Sequence, residues 1–215
     1  MKAGAGIIVM AKAPVAGRVK TRLSPPFTAE QAAALAEASL VDTLAAVRAT
    51  PAAWRVVALD GHPGSWLPDD LTVVFQRGAG VEERLACAFV DAGAPAVVIG
   101  ADTPQVCADL LKEALDTLCR PGVDAVLGPS PDGGYWALGL RRPDARVFLG
   151  VPMSQACTFT AQWARLADLG LATVQLEALR DVDTVDDAIA VAAEAPTSRF
   201  AAVLDRELAS AARKQ

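Results

Sequence analysis

The chain has 215 residues, 53% hydrophobic and 21% charged, with a formal net charge of −5. That length holds one sizeable core and is short for two, so a single domain over 1–215 is expected. The acidic balance excludes a broadly basic surface for nucleic acid or an anionic membrane, and no apolar run reaches the length of a membrane span.

Residues 5–11 form a continuous apolar run that predicts a buried strand. The segment behind it, MAKAPVAGRVKTRLSP, carries Lys12, Arg18, Lys20 and Arg22 with no acid, and is broken by Pro14, Gly17 and Pro25. Flexible backbone at Gly17 with four cations suits a polyphosphate; a solvated basic turn is the plain alternative. It is not a P-loop, because Val19 precedes Lys20-Thr21 and the prolines stop a helix from starting at the lysine. Thr28 to Arg48 reads as a helix, with Thr28 and Gln31 as a capping box and Leu40, Leu44 and Val47 on one face.

Strands are predicted at 54–60 and 71–76, then a helix with Val81, Leu85 and Phe89 on one stripe. The run APAVVIGA (94–101) is expected to be the most buried strand. A helix follows over 105–119, with Leu111, Leu115 and Leu118 inward, Lys112, Glu113 and Asp116 outward, and Thr103 and Pro104 at its start. DAVLGPS and YWALGL read as strands around a Gly133-Gly134 turn. A helix at 156–169, a strand at 171–176 and helices at 185–194 and 198–212 complete the chain, the last two expected to cover the sheet edge. Alternation of this kind predicts a mostly parallel sheet with helices on both faces and a ligand site beyond the carboxyl ends of its strands.

The residues at those ends are unusual. Asp102 stands where the buried run stops; an acid there is costly without solvent, a partner or a metal. In LRDVDTVDD, Thr184 and Asp187 cap a helix, which leaves Asp181 and Asp183 without a structural duty. Asp183 also lies at a strand-to-helix junction. Asp102 and Asp183 could therefore share one Mg²⁺ (or Mn²⁺), which takes one or two carboxylates plus phosphate oxygens. The hairpin explains Gly133 and Gly134 but not Asp132 or Tyr135; Tyr135 either lines a pocket or simply starts a strand. Cys87, Cys107, Cys119 and Cys157 lack a C-x-x-C pair and read as buried free thiols, and His62, the single histidine, as a solvated loop residue.

In this order, AKAPVAGRVKTRL, GADTP, VLGPSPDGGYWALGL and DVDTVDD resemble a bacterial glycosyltransferase-like family of the nucleotide-diphospho-sugar transferase superfamily, some of whose members are linked to arsenosugar biosynthesis. A more distant similarity is to phospholactate guanylyltransferase and the molybdenum-cofactor guanylyltransferases. The resemblance spans about residues 5–190. It implies a three-layer α/β/α sandwich with a mostly parallel mixed sheet, the GT-A-like fold, and an enzyme acting on a nucleotide or nucleotide sugar and a small-molecule acceptor; the N-terminus lacks a signal-peptide pattern, so a cytoplasmic location is expected. By that resemblance Lys12, Lys20 and Arg22 would contact the phosphates, joined by Gly17 and Arg18 of the same basic loop, and Gln76 and Gly78 would meet the base and ribose. Asp102 and Asp183 would hold the metal, with Lys20 and Asp102 catalytic, and Asp132, Gly133, Gly134 and Tyr135 would face the second substrate. Two departures stand out: the D-x-D usual after the central strand reads Ala101-Asp102-Thr103 here, with DVD displaced to 181–183, and VPMSQACTFT replaces a Trp-Ser-Thr stretch. The activities implied are glycosyl transfer first, then nucleotidyl transfer, then nucleotide binding without catalysis.

Overall fold

The computed structural model describes residues 4–93 and 95–212; Ala94, where the expected central strand begins, and the outermost residues of the expected 1–215 domain lie outside them. Seven strands form one sheet: β1 (Gly6–Lys12), β2 (Arg55–Asp60), β3 (Thr72–Phe75), β4 (Ala96–Ile99), β5 (Ala125–Pro129), β6 (Tyr135–Leu140) and β7 (Thr173–Gln175). Their order is β3-β2-β1-β4-β6-β5-β7. All pairings are parallel except those of β6, which runs antiparallel to both β4 and β5. The expected mixed, mostly parallel sheet is what the chain forms.

Among the described residues six α-helices accompany it: α1 (Ala29–Ala49), α2 (Val81–Ala92), α3 (Ala108–Cys119), α4 (Thr158–Asp168), α5 (Val185–Glu194) and α6 (Arg199–Ala212). The strands alternate across the sheet with period two. Ile7, Val9, Val57 and Val97 face α1 and α3, meeting Leu40, Leu44, Leu111, Leu115 and Leu118. Ile8, Val56, Val98 and Leu138 face the other way, onto Leu85 and Phe89 of α2 and Leu166 of α4. Each large side chain fully buried in these two layers contributes about 1.5–3 kcal/mol of transfer free energy. The capping box at α1 is present in full: Gln31 N–H donates to Thr28 Oγ1 at 3.3 Å, and Thr28 N–H to Gln31 Oε1 at 2.9 Å.

Five expectations change. Helix α3 begins at Ala108, not near Gln105, because a turn closed by Val106 N–H on Thr103 O (3.0 Å) occupies the intervening residues. Thr103 caps nothing; it is buried, and its hydroxyl has no hydrogen-bond partner among the described residues. Helices α5 and α6 do not cover a sheet edge. They pack on the side of α1 away from the sheet, in a third core of Leu23, Phe27, Leu35, Val182, Val191 and Phe200. The four cysteines are free, but Cys107, Cys119 and Cys157 are exposed because each sits at a helix end, and Cys87 is half-buried. Val81 is also exposed, at the first residue of α2, while Leu85 and Phe89 are buried as expected.

Candidate active site

The carboxyl ends of β1, β4 and β5 and the start of β6 open onto one cleft of about 830 Å³. The basic segment following β1 forms one wall. Gly17 (φ 75°) and Lys20 (φ 46°) both take left-handed backbone, and no atom lies within 4 Å of where a Cβ would stand on Gly17. Leu23 and Phe27 anchor the segment's far end in the third core. Lys12, Arg18, Lys20 and Arg22 line the cleft.

At its centre Lys20 Nζ donates to Asp102 Oδ2 at 3.0 Å and to Asp183 Oδ1 at 3.2 Å, while Arg22 reaches Asp183 Oδ2 at 2.9 Å. Three residues far apart in sequence therefore meet through one ammonium group. Local backbone contacts hold them. Buried Ser39 of α1 donates to Ala101 O at 2.9 Å, and Val182 N–H donates to Asp102 O at 2.9 Å. Gly100 gives the Asp102 side chain room to fold back, since a Cβ there would lie 2.6 Å from Asp102 Oδ1.

Asp181 is the residue that sequence reasoning left without a role. Val182 is buried, and the two aspartates flanking it both turn to the cleft. Asp102, Asp181 and Asp183 each bring an oxygen to within 4.8 Å of the others. The displaced DVD thus lies beside the Ala101-Asp102-Thr103 corner. Burial, then the negative fields of Asp102, Asp132 and Asp183, push the Asp181 carboxyl up to about 7. Burial also opposes the charge on Lys20, but Asp102 and Asp183 outweigh it and hold the ammonium above its ordinary range. Three crowded carboxylates, one reluctant to ionise, form an oxygen donor set that fits Mg²⁺ or Mn²⁺.

The shift at Asp181 has a measurable sign. Its folded value near 7 stands above the ordinary 3.8. Between those values the folded state holds a proton that the unfolded chain has lost, so this group's contribution to stability falls as pH rises through the window, then levels off. Asp181→Asn should melt close to the wild type near pH 4 and a few degrees above it at pH 8, less than the full shift implies because the group is only half-buried. Metal-free thermal melts across that range would show it.

On the other wall, Gly133 (φ 89°) sits so close to the 153–158 segment that a Cβ would lie 2.0 Å from Ala156 O. Asp132 Oδ1 accepts from Gly134 N–H at 2.8 Å, which gives Asp132 a turn-closing duty the sequence did not reveal. Tyr135 is half-buried, its hydroxyl 3.8 Å from Met153 Sδ, and burial pushes its pKa up. Ser154, beside Met153, is the other non-glycine residue with positive φ (58°) among the described residues.

The structure does not bring Gln76 and Gly78 to the aspartates. Both hydrogens of the Gln76 amide go to main-chain carbonyls, Ala11 O at 2.9 Å and Ala58 O at 2.8 Å. Gln76 lines a smaller hollow of about 210 Å³ with Lys12, Asp60 and Arg84, next to the main cleft. The Gly78 carbonyl accepts from Arg84 Nε at 3.2 Å.

A family model described as an uncharacterized protein conserved in bacteria (DUF2064) matches residues 30–155, more than half of the chain. The chain belongs to that family. Comparison with curated proteins finds no match. Among solved structures, the DUF2064 chain is similar to a candidate nucleotide-diphospho-sugar transferase from Desulfovibrio desulfuricans G20, with TM-score 0.84, 26% identity and 97% of each chain covered. It also shares its fold with Rv0371c from Mycobacterium tuberculosis H37Rv in complex with manganese (TM-score 0.52, 22% identity, 87% of this chain and 98% of that one). A third likeness in fold is to 2-C-methyl-D-erythritol 4-phosphate cytidylyltransferase from Thermus thermophilus (TM-score 0.53, 22% identity, 90% and 100%). The fold is therefore that of the nucleotide-diphospho-sugar transferases, and no helix among the described residues is long and apolar enough to cross a membrane.

Proposed function

We propose that this DUF2064 chain is a transferase that uses an activated nucleotide with Mg²⁺ or Mn²⁺, and that the group it moves is a glycosyl unit from a nucleotide sugar. One observation carries the reading: Asp102, Asp181 and Asp183 converge at the carboxyl end of β4, with Asp102 and Asp183 bridged by Lys20 from the four-cation segment. Coverage of 97% in both directions against the Desulfovibrio structure supports residues 1–215 acting as one domain.

In this reading Lys12, Arg18, Lys20 and Arg22, with the Gly17 backbone, bind the phosphates. Base and ribose extend toward the hollow at Gln76, on the side of Gly78. Asp102, Asp181 and Asp183 hold the divalent cation, whose contribution is to neutralise charge on the departing nucleoside diphosphate. Lys20 takes up the same charge from the protein side, in a site built before the reaction begins. The acceptor hydroxyl lies over Asp132 and Gly134, beside Tyr135 and the Gly133 turn. Its oxygen bonds to the anomeric carbon, the bond from that carbon to the diphosphate breaks with its electron pair going to the diphosphate, and the hydroxyl proton passes to the exposed Asp132 carboxylate.

The density of cations on a single loop favours a second reading, nucleotidyl transfer, in which a substrate phosphate displaces pyrophosphate from a nucleoside triphosphate. A thermal-shift panel of nucleoside triphosphates against nucleotide sugars, each with and without Mn²⁺, followed by assay for product, separates the two. Mn²⁺-dependent stabilisation by nucleotide sugars, with nucleoside diphosphate released, is expected. A preference for triphosphates with pyrophosphate release would replace glycosyl transfer by nucleotidyl transfer. Stabilisation without product from any acceptor would make the chain a nucleotide-binding module.

A further inference from the structure

Charge in the cleft is divided by side. All four cations that line it come from one segment, from Lys12 at the end of β1 to Arg22. The opposite wall is built by the β5–β6 turn and the 153–158 segment. Among its described lining residues, which include Ser130, Tyr135, Met153, Ser154 and Gln155, none is Lys, Arg or His; the single charge is Asp132. The three aspartates stand between the two walls.

The N-terminus of α4 is the other feature on that wall where an anion would settle. Its first two amides are engaged: Thr158 N–H donates to Gln155 O at 3.0 Å and Phe159 N–H to Gly133 O at 2.8 Å. Thr158 Oγ1 is turned inward, accepting from Gln155 N–H at 3.0 Å and donating toward Pro152 O at 2.7 Å. Nearby, Arg180 is paired with Asp187 at 2.8 Å and does not line the cleft. A phosphate or carboxylate on this wall would lose its hydration, meet Asp132 and gain no cation in exchange.

The geometry points to an acceptor that bears hydroxyl groups and no anionic group, a neutral polyol or an amino alcohol, held between Asp132 and the apolar edge of Met153 and Tyr135. Asp132 receives hydrogen bonds from hydroxyl or ammonium groups, and the thioether and ring pack on the carbon skeleton. This deepens the reading above and rests on it, because the cation-rich wall must already be taken by the nucleotide. It also disfavours a phosphorylated second substrate, the point on which glycosyl and nucleotidyl transfer divide.

The test uses the full chain saturated with Mn²⁺ and the nucleoside di- or triphosphate that stabilises it most. Inorganic phosphate is then titrated in, followed by the matched pairs glycerol and glycerol 3-phosphate, and glucose and glucose 6-phosphate, with binding read by calorimetry and turnover by release of nucleotide. Phosphate and the phosphorylated members are expected to leave the loaded wild type unchanged at millimolar concentration. Asp132→Lys is expected to gain phosphate binding by tenfold or more. Gln155→Lys, at an exposed position, should do the same if loss of the Asp132 turn contact unfolds the first variant. Sub-millimolar phosphate binding to the loaded wild type, faster release with a phosphorylated member than with its neutral partner, or no gain in either folded variant would overturn the proposal. Failure of any nucleotide to load would remove the underlying reading itself, a result visible before phosphate is added.

Discussion

Asp102→Asn is expected to lose the Mn²⁺-dependent part of nucleotide binding and to slow transfer by about 10²–10³-fold, the range for removing one preorganised electrostatic group. The fold should survive. The Asp102 side chain is 39% exposed, and it is the main-chain carbonyl, not the carboxylate, that receives the Val182 N–H. The variant keeps the volume of the side chain and the Lys20–Asp183 contact, so the loss isolates one carboxylate of the donor set. Thermal melts with nucleotide, with and without Mn²⁺, read the first effect and steady-state kinetics the second. Unchanged metal dependence would take Asp102 out of the site.

Lys20→Ala should move two affinities in opposite directions. Lys20 now neutralises Asp102 and Asp183 at 3.0 and 3.2 Å. Without it, Mn²⁺ alone should bind more tightly, by about tenfold, because a partly screened positive charge has left the carboxylates. Binding of nucleoside di- and triphosphates should weaken, monophosphates less so, and transfer should fall by about 10²–10³-fold. Lys20→Gly is the control for the left-handed backbone at this position, since glycine adopts it without strain. Titration of Mn²⁺ by calorimetry, then of nucleotides at saturating Mn²⁺, separates the two effects. If both affinities weaken together, the lysine supports the loop and does not compete with the metal.

Much of this was legible because it is local. The capping boxes Thr28–Gln31 and Thr184–Asp187 each lie within one helical turn, and the structure contains both. The alternation of strands and helices was readable for the same reason, and it implied the sheet and the end of it where ligands bind. Asp102 stood out as an acid closing a buried run. What the sequence withheld depends on contacts between distant segments. Asp181 joins the cluster because Val182 is held by Asp102 O from a distant segment, a bond no spacing announces. Two carboxylates either side of a buried valine were the only clue, and the DVD stands far from the central strand in sequence. Gln76 follows a strand, as a base-binding residue would, but its amide is consumed by Ala11 and Ala58. Thr103-Pro104 has the composition of a helix start, yet a turn intervenes and delays α3 until Ala108.

The third core ties both halves of the charged cluster to one support. Leu23 and Phe27, behind the lysine and arginines, and Val182, between the aspartates, share it with Phe200 and Leu204 of α6. The positive and negative partners therefore hang from a common apolar hinge-pin outside the sheet. Detaching the C-terminal helix is expected to release both at once while the strands keep their own two cores, so binding at the cleft should fail before the sheet does.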